Sequence, residues 1–311
     1  MTPADGASGG RTRSAGSANG IVMLSMLLWA AGFPSAEILL ASWDPLALTT
    51  ARLALATSLL LIVWAILDGP QALISSRWDR GVAVGGIGFG LGSFLVLTAQ
   101  ALTDPVSVAV IATTMPVVGA AIEMVLDGRR IRWPLAVGVS LAVVGGLMAA
   151  GARLMDGSYG FGAGLAFLSV VTFAWASRAI VRDLPDQTPI GRTAISLTGG
   201  LVVCSIIFSM ATWLGFAGGP SAPIDAETWA HLALFAMGAM ALSQFFWIAG
   251  VARLGIAMAS MHMNLVPFYV MILMSALGEA WRWDQAAGAA LVAVGALIAQ
   301  WPSRPRSRNP A

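Results

Sequence analysis

Long apolar runs separated by short polar turns are the feature that most constrains this chain. They recur along nearly its whole length, and many approach the ~20 residues that a helix needs to cross the hydrocarbon core of a bilayer. Turn residues separate them, as in SWDP at 42–45 and DGRR at 127–130. The chain is therefore predicted to be an integral membrane protein.

The runs indicate helices and not membrane strands. Hydrophobic residues make up 58% of the chain and charged residues 10%, whereas a soluble domain has about 25% charged residues. The ~10-residue alternating segments of a membrane β-barrel are absent from the sequence. We predict an all-α membrane protein with ten transmembrane helices. Their predicted positions are near residues 20–40, 45–67, 81–101, 105–126, 133–151, 159–181, 190–214, 229–251, 255–277 and 284–301.

The arginines predict how the chain is oriented. The sequence has no lysine, so all 17 of its basic side chains are arginines. With a cytoplasmic N-terminus, fourteen of these arginines fall in cytoplasmic segments, two (Arg153 and Arg282) fall in external loops, and Arg52 falls within the second span. Cytoplasmic loops of membrane proteins carry an excess of positive residues. Both termini are therefore predicted to be cytoplasmic.

An internal repeat is clearest around the fifth and tenth runs. Residues 126–149 and 276–299 are identical at ten of 24 aligned positions, and GRRIRW (128–133) is echoed by GEAWRW (278–283). Each half then holds five spans, and an odd number forces the second copy to enter the membrane upside down. The fold prediction is thus two inverted five-helix repeats, an arrangement that recurs in transporters with a substrate site between the copies.

The repeat sets the predicted domain boundaries. The first repeat covers 19–152 and the second 153–301, with a disordered cytoplasmic tail at 1–18 and a cytoplasmic tail at 302–311. Within GEAWRW, Glu279 replaces Arg129 of the first copy, as expected if the two turns face opposite sides of the membrane. The hexapeptide is interpreted as a marker of fold and topology, outside the substrate site.

Polar residues beside a mid-span proline occur in both halves. His262 and Asn264 precede Pro267 in the ninth span, and Thr113 precedes Pro116 in the fourth. A proline at this depth is tolerated where the backbone lines a cavity or where neighbours satisfy the freed backbone groups. We predict that these three polar residues contact substrate; helix kinks with hydroxyls bonded back to the backbone are the alternative.

The third and eighth spans add candidate substrate-binding residues, namely Ser93, Gln100, Ser243 and Gln244. Polar side chains at such depths are expected to face a cavity or a partner helix instead of lipid.

Two tryptophans and one arginine complete the candidates. Trp29 and Trp175 lie mid-span, away from the interfaces where tryptophan is enriched, so each is expected at a cavity wall or a helix interface, and we predict that both contact substrate. Arg52 can either extend its side chain back to the outer surface or bind a substrate carboxylate. The sequence leaves both alternatives open for Arg52.

Sequence motifs of soluble enzymes are missing. There is no G-x-S-x-G, H-E-x-x-H or Walker loop and no Cys/His spacing typical of a metal site. We predict no enzyme activity, no cofactor, no metal and no nucleic-acid partner. The predicted partners are a small amino acid-like molecule and the lipid bilayer, and the oligomeric state stays open. A membrane-embedded enzyme or a channel is the competing class.

Several segments, in their order along the chain, match the pattern of a known family. They are LLWAAGFPSAEILL (27–40), the arginine of TTARLALA (49–56), Pro267, and the pair Gly278 and Glu279. With the doubled layout, they give residues 20–301 a pattern that resembles the drug/metabolite transporter superfamily, EamA type. Within it, the sequence looks like the bacterial amino acid exporter branch, whose members include exporters of aromatic amino acids.

This resemblance implies alternating access through a cavity between the halves. The predicted function is an inner-membrane exporter of small neutral or zwitterionic metabolites, most of all amino acids with aromatic or apolar side chains. Bending is predicted at three hinges, Pro34, Pro116 and Pro267. A transporter of other metabolites or of drugs is the alternative within the same class.

Overall fold

The described part of the chain, residues 6–127, 133–150, 157–255 and 259–299 of a computed structural model, contains helices and no strand. We number these helices α1 to α12. They are α1 Gly6–Leu40, α2 Pro45–Leu67, α3 Pro70–Ile74, α4 Trp78–Leu102, α5 Pro105–Ala112, α6 Met115–Asp127, α7 Trp133–Ala150, α8 Gly157–Asp183, α9 Pro189–Trp213, α10 Ala226–Leu254, α11 Met261–Ala276 and α12 Trp283–Ala299.

Seven of the described segments are long and apolar enough to cross a membrane. They are Ser17–Leu40 of α1, α2, α4, Pro105–Leu126 across α5 and α6, α8, α9 and α10. Three shorter apolar helices lie in α7, α11 and α12. The prediction of an all-helical membrane protein is confirmed, and the seven long segments coincide with seven of the ten predicted spans. The full count of ten crossings stays a prediction.

The N-terminal helix is longer than the sequence indicated. Residues 6–18 lie within the part predicted as a disordered tail, yet α1 begins at Gly6 and continues without interruption to Leu40. Extending an existing helix adds one backbone hydrogen bond per residue without a new nucleation step, so an apolar helix can continue into a weakly helical sequence. The apolar span itself still begins at Ser17.

Short capping motifs start several of the long helices. Asp44 before Pro45 accepts hydrogen bonds from the N–H groups of Leu46 and Ala47 at the start of α2. Asp104 before Pro105 repeats the motif at α5. A side-chain acceptor at the cap followed by proline satisfies exposed backbone donors and fixes the first helical φ angle, which explains the sharp turns between spans.

Interhelical packing repeats between the two halves with the partners exchanged. We treat the helices of the first half as equivalent, in order, to those of the second half: α1, α2, α4, α5–α6 and α7 to α8, α9, α10, α11 and α12. Helix α4 packs on α8 and α9, and its equivalent α10 packs on α1 and α2. In the same way α5 and α6 pack on α8, and α11 packs on α1. The two copies thus bury their faces against each other, which places a shared region at the centre of the molecule.

The equivalent helices α7 and α12 cross at paired glycines. A Cβ built on Gly145 would lie 2.6 Å from the carbonyl oxygen of Gly288, and one built on Gly295 would lie 2.8 Å from that of Gly138. The residue numbers of the contacting pairs rise along α7 and fall along α12, so the two helices run antiparallel. Small residues permit this close backbone approach.

Wide turns interrupt α4 and α10 at matching places. Gly86–Leu91 of α4 and Leu234–Leu242 of α10 are π-helical. The first segment ends two residues before the candidate Ser93, and the second ends directly before the candidate Ser243. A π-helical turn takes up extra residues, so it rotates the following part of the helix relative to a regular α-helix. Such turns are frequent at functional sites.

Candidate functional site

A central cavity of about 70 Å³ lies where helices of the two halves meet. This exceeds the ~10–15 Å³ that one water molecule requires. The first half contributes Trp29, Arg52, Phe89, Ser93 and Met115, among others, and the second contributes Ser169, Phe173, Met240, Gln244 and Met263. Because neither half encloses the cavity by itself, we take the central cavity as the candidate functional site.

Arg52 of α2 is buried at the central cavity. Its side chain is 6% exposed, and its guanidinium carbon lies 4.4 Å from the centre of the Phe235 ring, a cation–π contact. Its Nε atom has no hydrogen-bond acceptor, and within the described residues no carboxylate lies within ion-pair distance of it. Of the two alternatives that the sequence left open, the burial disfavours a side chain that reaches back to the outer surface.

Three predicted residues meet at the central cavity. Trp29, Ser93 and Gln244 all line it, and Gln244 is 8% exposed with no hydrogen-bond partner for its Nε2 atom. Ser93 and Gln244 follow the two π-helical turns, so these turns set the direction of both side chains. A buried amide with a free N–H donor beside a cavity is suited to hydrogen-bonding a ligand.

Aromatic rings form one wall of the central cavity. The Phe89 and Phe173 rings are 5.3 Å apart in an edge-to-face arrangement, and Phe173 lies 6.0 Å from Trp247. On another side, Trp29 packs edge-to-face with Phe33 at 5.2 Å. Offset and edge-to-face rings of this kind stabilise one another and present apolar surface to a ligand. The phenylalanines were not predicted to be site residues.

Two other predicted residues use their hydroxyls for structure. Thr113 is fully buried and donates to the carbonyl of Val110 at 2.6 Å, the arrangement that the sequence analysis kept as its alternative. Ser243 donates to the carbonyl of Ser25 at 3.0 Å, and the Ser25 hydroxyl donates to the carbonyl of Ser243 at 2.7 Å. Neither Thr113 nor Ser243 lines the central cavity.

The remaining predicted residues of the second half also lie away from the central cavity. Trp175 lines an apolar groove between α6 and α8, together with Val118 and Phe167. His262 places its Nδ1 atom 3.2 Å from the carbonyl of Ala259, and Asn264 is 7% exposed with no partner for its Oδ1 atom. Instead, Met263 between them lines the central cavity.

Helix breaks mark two of the predicted hinges. Thr113 and Thr114 separate α5 from α6, so that Pro116 is the second residue of α6. A 3-10 turn, Met261–Leu265, opens α11, and Pro267 follows it. The third predicted hinge, Pro34, lies inside the continuous helix α1. Proline explains the breaks because it lacks the N–H that would continue the backbone ladder.

Gln100 separates the central cavity from a second space, which we call the vestibule. Gln100 lines a small extension of the central cavity, of about 20 Å³, together with Trp29 and Arg52. Its Nε2 atom donates to the carbonyl of Phe33 and to Glu37 Oε2, both at 3.0 Å. Glu37 lines the vestibule, which has a volume of about 220 Å³, so this pair of hydrogen bonds closes the boundary between the two spaces.

The vestibule also contains part of the repeated hexapeptide. Glu279, Trp281 and Arg282 line it beside Asp104, although the sequence analysis gave GEAWRW a topological role only. Arg282 pairs with Asp284 at 2.6 Å, and this hydrogen bond raises the pKa of the Arg282 guanidinium. The first copy, GRRIRW, lies mostly outside the described residues.

We expect Gln100→Leu to open the boundary between the central cavity and the vestibule. Leucine keeps much of the volume but removes two hydrogen bonds, each of about 1 kcal/mol, that hold α4 against α1. The measurement uses a Val96→Cys background, in which the introduced cysteine lines the central cavity. A membrane-impermeant thiol reagent should modify this cysteine about tenfold faster after Gln100→Leu, because a loss of ~1.4 kcal/mol shifts the equilibrium between the closed and the open boundary tenfold. The exposed Gln71→Leu is the matched control, and equal rates in both variants would contradict a closing role for Gln100.

Comparisons with known proteins agree with this doubled architecture. Residues 17–150 and 160–300 each match the model of the EamA-like transporter family. The chain is 24% identical over 278 residues to an uncharacterized transporter, YyaM, of Bacillus subtilis (strain 168), covering 86% of this chain and 88% of that protein. A solved crystal structure of a protein aligns with a TM-score of 0.67 and 20% identity over 92% of this chain and 96% of the other, which shows a shared fold.

Proposed function

The chain belongs to the EamA-like transporter family, and from that premise we propose that it exports small neutral or zwitterionic metabolites, most of all amino acids with aromatic or apolar side chains. The observation that carries this proposal is the central cavity, which joins aromatic and methionine side chains with the polar groups of Ser93, Gln244 and Arg52. An apolar wall with a few oriented polar groups suits a ligand with a hydrocarbon part and polar ends.

The proposed architecture is ten membrane crossings arranged as two inverted five-helix repeats. Antiparallel packing of the equivalent helices α7 and α12 supports inversion, because two copies related by inversion run in opposite directions. The shorter apolar segments of α7, α11 and α12 would complete the ten, since short helices are accommodated by local thinning of the bilayer. The distribution of arginines supports cytoplasmic termini, and we propose the bacterial inner membrane as the location.

Alternating access is the proposed mechanism. The broken helices at Pro116 and Pro267 lie at equivalent positions of the two repeats and give each repeat a point at which it can bend. Bending would expose the central cavity first to one side of the membrane and then to the other. The Gln100 hydrogen bonds to Phe33 and Glu37 would close one of these routes.

The experiment that tests this proposal is transport by the purified full-length chain in proteoliposomes. We expect saturable movement of labelled phenylalanine or leucine that an excess of the unlabelled amino acid suppresses. Labelled flux that does not saturate and is insensitive to competition would contradict alternating access and indicate a channel. Saturable transport of other metabolites or of drugs without amino acid transport would contradict the proposed substrate class while keeping the transporter.

A further inference from the structure

The central cavity has an asymmetric charge. Of the residues that line it in the described part of the chain, Arg52 is the one with a charged side chain, and none carries a carboxylate. Glu37 accepts a hydrogen bond from Gln100 and lines the vestibule instead. The cavity therefore presents a cation to any molecule that enters it.

The described surroundings of Arg52 do not neutralise its charge. The contact with Phe235 is a cation–π interaction, which offsets only part of the cost of burying a guanidinium without a partner. Among the described residues, the ionisable group that interacts with the guanidinium is the thiol of Cys204 and not a carboxylate. A charged residue in a membrane span that faces a cavity is a binding-site hypothesis by default.

A second donor lies at the same cavity on the opposite half of the molecule. Gln244 is 8% exposed, and its Nε2 atom has no acceptor, just as Nε of Arg52 has none. Both side chains are more than nine-tenths buried and both line the central cavity. Two unpartnered N–H donors, one of them cationic, form a site for an anion that accepts several hydrogen bonds.

We propose that Arg52 binds the carboxylate of the transported molecule, with Gln244 donating a further hydrogen bond, and that the carboxylate is the charged group on which selection depends. This inference rests on the proposed transport function and specifies which group of the substrate is recognised. The hydrocarbon part of the ligand lies against the Phe89 and Phe173 wall. The ammonium group of an amino acid meets no carboxylate in this cavity, so an apolar carboxylate without an amine is accepted as well.

Four related probes separate the contributions of the two ligand charges. Phenylalanine carries both charges, 3-phenylpropanoate keeps only the carboxylate, and phenethylamine and phenylalaninamide keep only the amine. The readout is the thermal unfolding midpoint of the purified full-length protein, because a ligand that binds the folded state raises it. This readout does not depend on transport, so failure of the carboxylate inference and failure of amino acid export are distinguished.

We expect 3-phenylpropanoate and phenylalanine to raise the midpoint and the two amines to leave it unchanged. Arg52→Gln should weaken the binding of 3-phenylpropanoate at least tenfold, since a charge-assisted hydrogen bond contributes about 1.5–3 kcal/mol. Arg52→Lys should retain part of the affinity because it keeps the charge. The exposed Arg253→Gln is the matched control and should bind as the unmodified protein does.

The inference is overturned if the amines bind as well as the carboxylates, if no probe binds, or if folded Arg52→Gln binds 3-phenylpropanoate with unchanged affinity. Should Arg52→Gln fail to fold, the comparison of the four probes on the unmodified protein decides, together with Gln244→Leu. That variant should weaken the binding of 3-phenylpropanoate severalfold, and an unchanged affinity would remove Gln244 from the site.

Discussion

Replacing Trp247 with alanine is expected to lower the free energy of unfolding by about 3 kcal/mol, the lower end of the range for deleting a buried tryptophan. Trp247 is 1% exposed, its ring lies 6.0 Å from Phe173, and its Nε1 atom donates to Ser177 Oγ at 3.2 Å. We choose the lower end because a helix that has left the bundle remains in apolar lipid, so lost packing contacts dominate over transfer from water.

Cys204 supplies the measurement. It is the single cysteine of the chain and is fully buried, so a thiol-reactive dye reports thermal unfolding in detergent. Trp247→Phe should cost only about 1 kcal/mol, because it keeps an aromatic ring and loses mainly the bond to Ser177. Trp213→Ala, at a position that is 85% exposed, is the control and should unfold at the original temperature. If Trp247→Ala unfolds at that temperature too, the aromatic wall is not a stabilising element.

Much of the fold was predictable because two strong physical constraints act on it. A lipid-embedded backbone must satisfy its hydrogen bonds internally, so long apolar runs predict helices with little ambiguity. Proline cannot continue the backbone ladder, so the breaks near Pro116 and Pro267 fall where the sequence placed them. Pro34 differs because α1 continues through it, which shows that proline predicts a local weakness and not a break.

The candidate site was less predictable because it depends on which way side chains turn. Trp29, Ser93 and Gln244 face the central cavity, whereas Ser243, next to Gln244 in the sequence, bonds to Ser25 between α1 and α10. The preceding π-helical turn rotates this part of α10, and uniformly apolar helices have no polar face from which such a rotation could be inferred. The position of these residues along their spans therefore did not give the direction in which their side chains point.

The directions of the Arg52 and Trp175 side chains show the same limit of prediction from sequence. Both are unusual residues for a membrane span. From the sequence, Trp175 was predicted to contact substrate, and two alternatives were left open for Arg52. Arg52 turns inward to the central cavity, while Trp175 lines the apolar groove between α6 and α8. The orientation depends on long-range packing, because α2 is held by α9 and α10, and α8 by α4, α5 and α6. A single sequence contains little information on those contacts.

The crossing of α7 and α12 joins the equivalent last helices of the two repeats. We expect that adding one methyl group destabilises the protein at one glycine of α7 and not at the next. A Cβ on Gly145 would lie 2.6 Å from the carbonyl oxygen of Gly288 and 2.9 Å from the backbone nitrogen of Val292, and such backbone atoms cannot rotate away. A Cβ on Gly146, the next residue, would meet nothing within 4 Å. The two glycines therefore form a matched pair in one helix.

We expect Gly145→Ala to lower the free energy of unfolding by about 1–3 kcal/mol through overpacking, and Gly146→Ala to leave it unchanged or raise it by up to about 1 kcal/mol, because alanine restricts the unfolded chain. The Cys204 dye assay measures both variants. Gly288→Ala should match Gly145→Ala, since its Cβ would lie 2.5 Å from the Gly145 carbonyl oxygen. The double variant should cost less than the sum of the two, because one displacement of the helices relieves both contacts. Equal stability of the Gly145 and Gly146 variants would mean that α7 and α12 do not cross at these glycines, and the antiparallel pairing that supports inversion of the repeats would lose its basis.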